Sequence, residues 1–258
     1  MVKKCLGRLM KQKKGDSMVD EIGILKYYDT LYYNEGNPTI SDEEYDKLKE
    51  ESRSKYPDHP YFQTVGSPVP GSKVKLPYVL GSLEKVKPET VEKWFSNKEP
   101  KEYIVTTKID GISIFTQYEG GDVVFASTRG DGYEGKNITN KAKIFCPKID
   151  FIEPITLRGE VTLLFEDYRK VGYKNRRNGT AGILNKIDTN DYADLVHPFF
   201  YEVIDGPDFI LEMKEDEKLM YLNEIGLRIP MFTRIMNPIV DFMNSTFLSF
   251  KESALHDG

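Results

Sequence analysis

Two cysteines, three histidines and one tryptophan in 258 residues leave little room for several kinds of chemistry. Cys5 and Cys146 are too few for a disulfide framework or a four-cysteine zinc site, so a reducing compartment is the default. No apolar run is long enough to cross a bilayer, which excludes a spanning segment as an expectation. Neither sign of charge dominates: 36 Lys and Arg face 41 Asp and Glu, for a net charge of −5. Nothing global therefore advertises nucleic acid, and any such contact must be local or lie elsewhere. Internal repeats and low-complexity tracts are also missing. What is plentiful is large packing groups, 14 Phe and 16 Tyr, in a chain that is 39% hydrophobic and 30% charged. That balance fits a soluble globular protein with one main domain and a smaller appendage.

The basic segment from Met1 to Lys14 is a local exception, with Lys3, Lys4, Arg8, Lys11, Lys13 and Lys14 and no acid. A signal peptide needs a continuous apolar stretch after its charges. Here Val2, Cys5, Leu6, Leu9 and Met10 are scattered at helical spacing, so a solvated or partner-facing helix is expected. Ile22, Leu25, Tyr28, Leu31 and Tyr32 then recur at spacings of three and four. Ser41-Asp42-Glu43-Glu44 has the capping-box pattern ahead of Tyr45 and Leu48, which predicts two helices joined at Asn37-Pro38, the second ending near Pro57. From Pro57 to Pro77 prolines and glycines read as an extended linker between modules.

Pro88 opens a short predicted helix with Val91, Trp94 and Phe95. Ile104 to Thr107, Ile112 to Tyr118 and Val123 to Thr128 are β-branched and aromatic, with Glu119-Gly120-Gly121-Asp122 as a hairpin turn between the last two. Thr156 to Leu164 and Phe199 to Val203 read as further strands. Phe165 to Val171, Met213 to Ile225 (ended by Gly226) and Pro238 to Phe250 (capped by Asn237) read as helices. Helices among antiparallel strands give the α+β class.

Lys108 stands between such a strand and an Asp-Gly turn. Lys108 and Asp110 are two apart, so in extended backbone both side chains share a face, and Gly111 lets the chain turn and a ligand approach. The stretch Ile104 to Thr107 is uncharged, which predicts a partly desolvated ammonium tuned toward a nucleophilic amine. A lysine nucleophile attacks a carbonyl or a phosphoryl centre. Thr128-Arg129-Gly130-Asp131-Gly132 offers a guanidinium at a tight turn, suited to phosphate or ribose oxygens, and "ITLRGEVTLLF" sets Arg158 and Glu160 on one face of a strand.

Lys108-Ile109-Asp110-Gly111 matches the K-x-D-G signature of the covalent nucleotidyltransferases, which include DNA ligases, RNA ligases and capping enzymes. Thr128 to Gly132, Leu157 to Val161 and Asn175-Arg176-Arg177-Asn178-Gly179-Thr180-Ala181-Gly182 closely resemble the NAD-dependent DNA ligases, over a likeness running from about Ile22 to the last residue. "LKYYDTLYYNEGNPTISDEEYDKL" resembles the small domain that clamps the nicotinamide mononucleotide (NMN) half of NAD. Its clamp positions fall on Tyr32, Tyr33, Asp42, Tyr45 and Asp46. Tyrosine rings can stack on a cationic nicotinamide, carboxylates can neutralise it and hydroxyls can bond its ribose.

The resemblance implies a helical NMN-binding domain over residues 1–66, with the basic extension. A nucleotidyltransferase domain of ATP-grasp-like kind, with antiparallel sheets and flanking helices, is implied over 67–258. Lys108 would attack the α-phosphorus of NAD and become lysyl-AMP, and Asp110 would orient the lysine or a Mg2+ ion. Arg129 and Glu160 would hold ribose and phosphate, Tyr201 would stack on adenine, Ser82 and Leu83 would lie beside the nucleotide, and Arg177 would face the departing nucleotide or the DNA phosphate. Nicked DNA is the implied partner, in replication, repair and recombination. The location implied is cytoplasmic, a host's cytoplasm if the protein is viral.

Three positions depart from the family. Thr106 stands where a glutamate usually reads adenine, Tyr33 replaces a histidine of the clamp, and Asn185 replaces an arginine after the Ala-Gly segment. His256-Asp257-Gly258 resembles the first residues of the family's D-G-V-V-x-K strand. Two later phosphate-contacting lysines, an OB-fold, a zinc module and a helix-hairpin-helix region are not in the sequence. The expectation is an incomplete ligase, either truncated or one subunit of a split, phage-type enzyme. Two alternatives stay open on the residues alone: an ATP-using RNA or DNA ligase-like nucleotidyltransferase, and a non-catalytic nucleotide-binding or docking subunit.

Overall fold

The computed structural model describes residues 17–31, 39–63, 73–81, 86, 90, 93–94, 102–164, 167, 176–186 and 194–236. The chain divides into two compact units, Met1–Pro68 and Val69–Gly258. The expected helices over Met1 to Lys14 and Pro238 to Phe250 lie outside the described residues, as does most of those expected at Pro88 and Phe165. Among the described residues no helix is long and apolar enough to cross a membrane.

In the first unit, α1 (Ser17–Asp29) and α2 (Asp42–Lys55) are followed by a 3₁₀ turn, Pro60–Gln63. The apolar spacing along α1 is realised: Ile22, Leu25, Tyr28 and Leu31 are all buried. Ile22 and Leu25 pack with Tyr61 of the 3₁₀ turn, and Tyr45, Leu48, Tyr56 and Phe62 close around them. The capping box forms as expected. Glu44 N–H donates to Ser41 Oγ at 3.2 Å and Ser41 N–H donates to Glu44 Oε2 at 3.0 Å, an arrangement that stabilises a helix by about 1 kcal/mol. Lys55 Nζ reaches back to Glu21 Oε1 at 2.8 Å.

Among its described residues the second unit holds three antiparallel sheets. The strands are β1 (Lys73–Lys75), β2 (Glu102–Thr106), β3 (Ile112–Glu119), β4 (Asp122–Thr128), β5 (Glu134–Lys136), β6 (Ile155–Leu163), β7 (Val196–Asp205) and β8 (Phe232–Met236). The main sheet has the order β4-β3-β6-β7, while β1 pairs with β5 and β2 with β8. The helices are α3 (Thr139–Phe145), α4 (Arg176–Lys186), α5 (Asp208–Leu211) and α6 (Glu215–Glu224).

Alternation of side chains gives the main sheet two different faces. One carries Ile114, Tyr118, Leu157, Val161 and Phe200 into the large core with Ala142, Ile210 and Leu222. Each such fully buried aliphatic or Phe side chain stabilises the fold by about 1.5–3 kcal/mol. The other face carries Phe115 into a smaller cluster with Leu76, Leu80, Phe125 and Ile204. Beside that cluster the alternation of β3 and β6 brings Ser113 opposite Glu160. Pro198 sits inside β7, where a missing N–H is tolerated because β7 is an edge strand.

Candidate active site

Lys108, Ile109 and Asp110 form the link from β2 to β3, and both Lys108 and Asp110 are exposed. The expected desolvation of the lysine is therefore not met: Lys108 stands past the end of β2, beyond the packing that would cover it. The link is fixed from beneath by β6. Gly111 N–H donates to Glu160 Oε1 at 3.3 Å, and Thr162 Oγ1 donates to the Asp110 carbonyl at 2.8 Å. Thr162, one more residue on the same face of β6, carried no signal in the sequence beyond its alternation.

Glu160 is the electrostatic centre of the site. Burial pushes its carboxyl above the usual carboxylate range, while Arg177, Lys108, the Gly111 N–H and Arg129 pull it back. Three cations from three separate segments thus converge on one carboxylate. Arg177 enters from α4, with Nη1 3.9 Å from Asp110 Oδ1. Arg129 follows β4, and its backbone N–H donates to the Ser113 carbonyl at 2.9 Å. The turn behind it is built by Asp131, whose Oδ1 accepts from the N–H groups of Tyr133 (2.9 Å) and Glu134 (2.8 Å). At Gly130 φ is +56°, and a Cβ there would lie 1.8 Å from the Glu134 carbonyl oxygen, so this turn has room only for glycine.

Tyr201 lies at the bulge of β7 opposite Arg158 and Gly159. Burial raises its hydroxyl above the ordinary phenol value, while Arg158 and a hydrogen bond from Ser113 lower it. Arg158 is the residue that the sequence undervalued. Its guanidinium lies over the Tyr201 ring at 5.9 Å, Nη1 pairs with Glu202 at 3.2 Å and Nη2 donates to the Gly81 carbonyl at 2.9 Å. Ser82 and Leu83 lie outside the described residues, and Arg158 anchors the residue just before them.

Of the residues singled out in the first unit, Tyr32 and Tyr33 lie outside the described residues, Asp42 opens α2 and Asp46 is exposed on it. The Tyr45 hydroxyl is engaged within the unit. It donates to Asp29 Oδ1 at 2.5 Å, and burial, then that bond, pushes it above the ordinary phenol value. Asp29 was missed; an acid on the buried seam of α1 is the signal that could have found it.

Thr106 is exposed on β2, opposite Phe232. Asn185, at the departure after the Ala-Gly segment, accepts from Lys136 Nζ at 3.2 Å. Among the described residues no group of three or more His, Cys, Asp or Glu could hold a metal ion. The donor set fits a magnesium ion only in its usual phosphate-bound form, with Asp110 as a single protein carboxylate.

Three cations acting on a half-buried carboxylate, with a tyrosine held by arginine, suit an anionic nucleotide. The sequence model of the NAD-dependent DNA ligase adenylation domain matches residues 78–250. This chain belongs to that family. A DNA ligase of Acanthamoeba polyphaga mimivirus is 35% identical over 210 residues, covering 77% of this chain and 32% of the relative. A DNA ligase of Thermosipho africanus (strain TCF52B) is 32% identical over 251 residues, covering 84% of this chain and 38% of the relative. The chain thus spans about a third of the length of these curated relatives. Among solved structures, mycobacterial DNA ligase D complexed with ATP and MES aligns with 56% of this chain and 44% of its own. Its TM-score is 0.35 at 11% identity, a likeness that carries no argument. In adenylation-domain terms, the elements that position Lys108, Arg129, Glu160, Arg177 and Tyr201 all fall inside the matched span.

Proposed function

We propose that this chain is the adenylation part of an NAD-dependent DNA ligase in which Lys108 is the nucleophile. The observation that carries the reading is the convergence of Lys108, Arg129 and Arg177 on Glu160. A pyrophosphate entering there meets three cations already in place, and charge developing on phosphate oxygens is stabilised without reorganisation.

In this reading the deprotonated Lys108 amine attacks the α-phosphorus of NAD. A P–N bond forms, the bond from that phosphorus to the bridging oxygen breaks, NMN departs with its phosphate, and the nitrogen sheds a proton. Lysyl-AMP remains. Glu160 would accept from ribose hydroxyls, Arg129 would hold ribose and phosphate oxygens, and Tyr201 would take adenine on the ring face not covered by Arg158. Arg177 would meet the leaving phosphate. Asp110 would orient Lys108 and offer its carboxylate to Mg2+ carried by the phosphates. Ser82 and Leu83 would lie along the nucleotide. Tyr32, Tyr33, Asp42, Tyr45 and Asp46 of the first unit would take the nicotinamide half. The AMP would then activate the 5′-phosphate of nicked DNA. Sealing would require the remainder of a ligase, in the same chain or as a second subunit.

The test is covalent labelling. The chain is incubated with Mg2+ and either NAD or ATP labelled in the adenylate, and an acid-labile adduct is sought on Lys108. NAD-specific labelling that disappears in Lys108→Ala is the expected result. ATP-only labelling points to an ATP-using nucleotidyltransferase, and no labelling, alone or with the remaining ligase parts, points to a non-catalytic nucleotide-binding subunit; either sinks the reading. Co-purification with a separately expressed second chain that restores nick sealing tests the split arrangement.

A further inference from the structure

The first unit contains a polar unit that helix packing does not require. Asp29, the last residue of α1, is 3% exposed. Each of its carboxylate oxygens accepts a phenol: Oδ1 from Tyr45 of α2 at 2.5 Å, and Oδ2 from Tyr61 of the 3₁₀ turn at 2.7 Å. The two hydroxyl oxygens are themselves 3.2 Å apart. A buried carboxylate costs free energy even when its hydrogen bonds are made, and an apolar residue on this seam would hold the three segments together at least as well. The carboxylate provides two things that an apolar residue cannot. It fixes the planes of both rings through their hydroxyls, and it draws the phenol protons toward itself, which leaves the rings richer in electrons.

An electron-rich ring face attracts cations. That attraction is visible within the unit: Lys49 Nζ sits 5.3 Å from the centroid of the Tyr45 ring and 5.8 Å from that of Tyr61. We propose that Asp29 and Tyr61 are positioning residues that hold and polarise the Tyr45 ring as a platform for a cation. The cation served is the positively charged pyridinium ring of oxidised nicotinamide, which the family resemblance already implies for the clamp. This rests on the reading of Tyr45 as an NMN-clamp residue and adds Asp29 and Tyr61 to it. Tyr45 acts through its ring, because its proton is committed to Asp29. Asp29 and Tyr61 act through Tyr45 and are positioning residues.

NAD and NADH separate this role from a merely structural one, since they share a shape but only NAD carries the pyridinium charge. Binding of each to the full chain is measured by titration calorimetry, for the native protein, Asp29→Asn and Tyr61→Phe, with folding checked by circular dichroism. The native chain is expected to prefer NAD over NADH, and Asp29→Asn is expected to cut that preference by about fivefold, the scale of one cation–π contact, with NADH binding unchanged. Tyr61→Phe, which keeps the Asp29–Tyr45 bond, is expected to cut it by about twofold and carries the test if Asp29→Asn does not fold. Equal weakening of both ligands, or an unchanged NAD-to-NADH ratio, overturns the platform. A native chain that binds NAD but does not discriminate overturns it while leaving the proposed function standing. A native chain that binds neither defeats the functional reading itself.

Discussion

Gly111 donates its backbone N–H to the carboxylate of Glu160 at 3.3 Å, which ties the turn carrying Lys108 to the strand at the centre of the site. The approach is close enough to forbid a side chain. A Cβ on Gly111 would lie 2.0 Å from the Val161 carbonyl oxygen and 2.8 Å from its carbon, both backbone atoms in the middle of the sheet.

Gly111→Ala is therefore expected to lose NAD labelling and to cost roughly 2–4 kcal/mol of stability in urea unfolding. Gly23→Ala is the control. Gly23 lies on an exposed position of α1 with nothing within 4 Å of an added methyl, and it should gain about 0.5–1 kcal/mol from helix propensity alone. Equal effects at the two positions would contradict the close-approach argument.

Glu160 leads to a pH prediction. Burial raises its carboxyl above the usual range. Between the unfolded value and that raised value the folded state holds more protons than the unfolded one, so stability falls as pH rises through the window and stays lower above it. Glu160→Gln keeps an oxygen for the Gly111 N–H and carries no charge to desolvate. It should melt at a higher temperature than the native chain near neutral pH, with the difference vanishing below about pH 4. On the proposed role of Glu160, the same change should raise KM for NAD about tenfold, since a ribose hydroxyl would lose a charged acceptor. A variant less stable than native at neutral pH would show that the surrounding cations, rather than burial, decide the balance.

The main sheet was legible because its signals are local. The hairpin turn Glu119 to Asp122 joins β3 to β4, and the capping box at Ser41 starts α2 where the residues predicted. What escaped depends on partners far away in the chain. β8, "FTRIM", is a strand because it pairs with β2 more than a hundred positions earlier, and β1 lies in a stretch that reads as linker until β5 is placed beside it. α4, "RRNGTAGILNK", has two glycines and little amphipathic pattern. Its Thr180 Oγ1 accepts the Leu163 N–H at 3.1 Å and donates to the Arg176 carbonyl at 2.8 Å, so tertiary contact outweighs weak propensity. Within the site, a short motif names Lys108 or Glu160 but does not reveal that Arg158 braces Tyr201. Only the register of β6 against β7 does that.

Arg158 braces three things at once: the ring of Tyr201, the carboxylate of Glu202 and the carbonyl of Gly81. A lysine has the charge but not the planar fork needed to reach the last two together. Arg158→Lys should therefore raise KM for NAD several-fold, with the labelling rate at saturating NAD nearly unchanged. That pattern distinguishes loosening of the adenine seat proposed at Tyr201 from damage to the chemical step. A fall in the saturated rate with KM unchanged would place Arg158 in the reaction instead.

A final prediction concerns the ribbon that presents Lys108. β2 ends just before the lysine and is held by β8, where Arg234 pairs with both Asp216 of α6 and Glu102, the latter at 3.1 Å. The guanidinium holds the Asp216 carboxyl below the usual carboxylate range. A depressed carboxyl contributes stability that is present above its unfolded value and is lost as pH falls through its folded value. Asp216→Ala should thus lower the melting temperature at neutral pH, and the gap to the native chain should close in acid as the native pair is protonated apart. High salt should narrow the gap only partly, because Asp216 is buried while Arg234 is exposed. If the gap is the same at neutral pH and in acid, the pair does not anchor the ribbon through charge, and the hold on β2 rests on its ladder with β8.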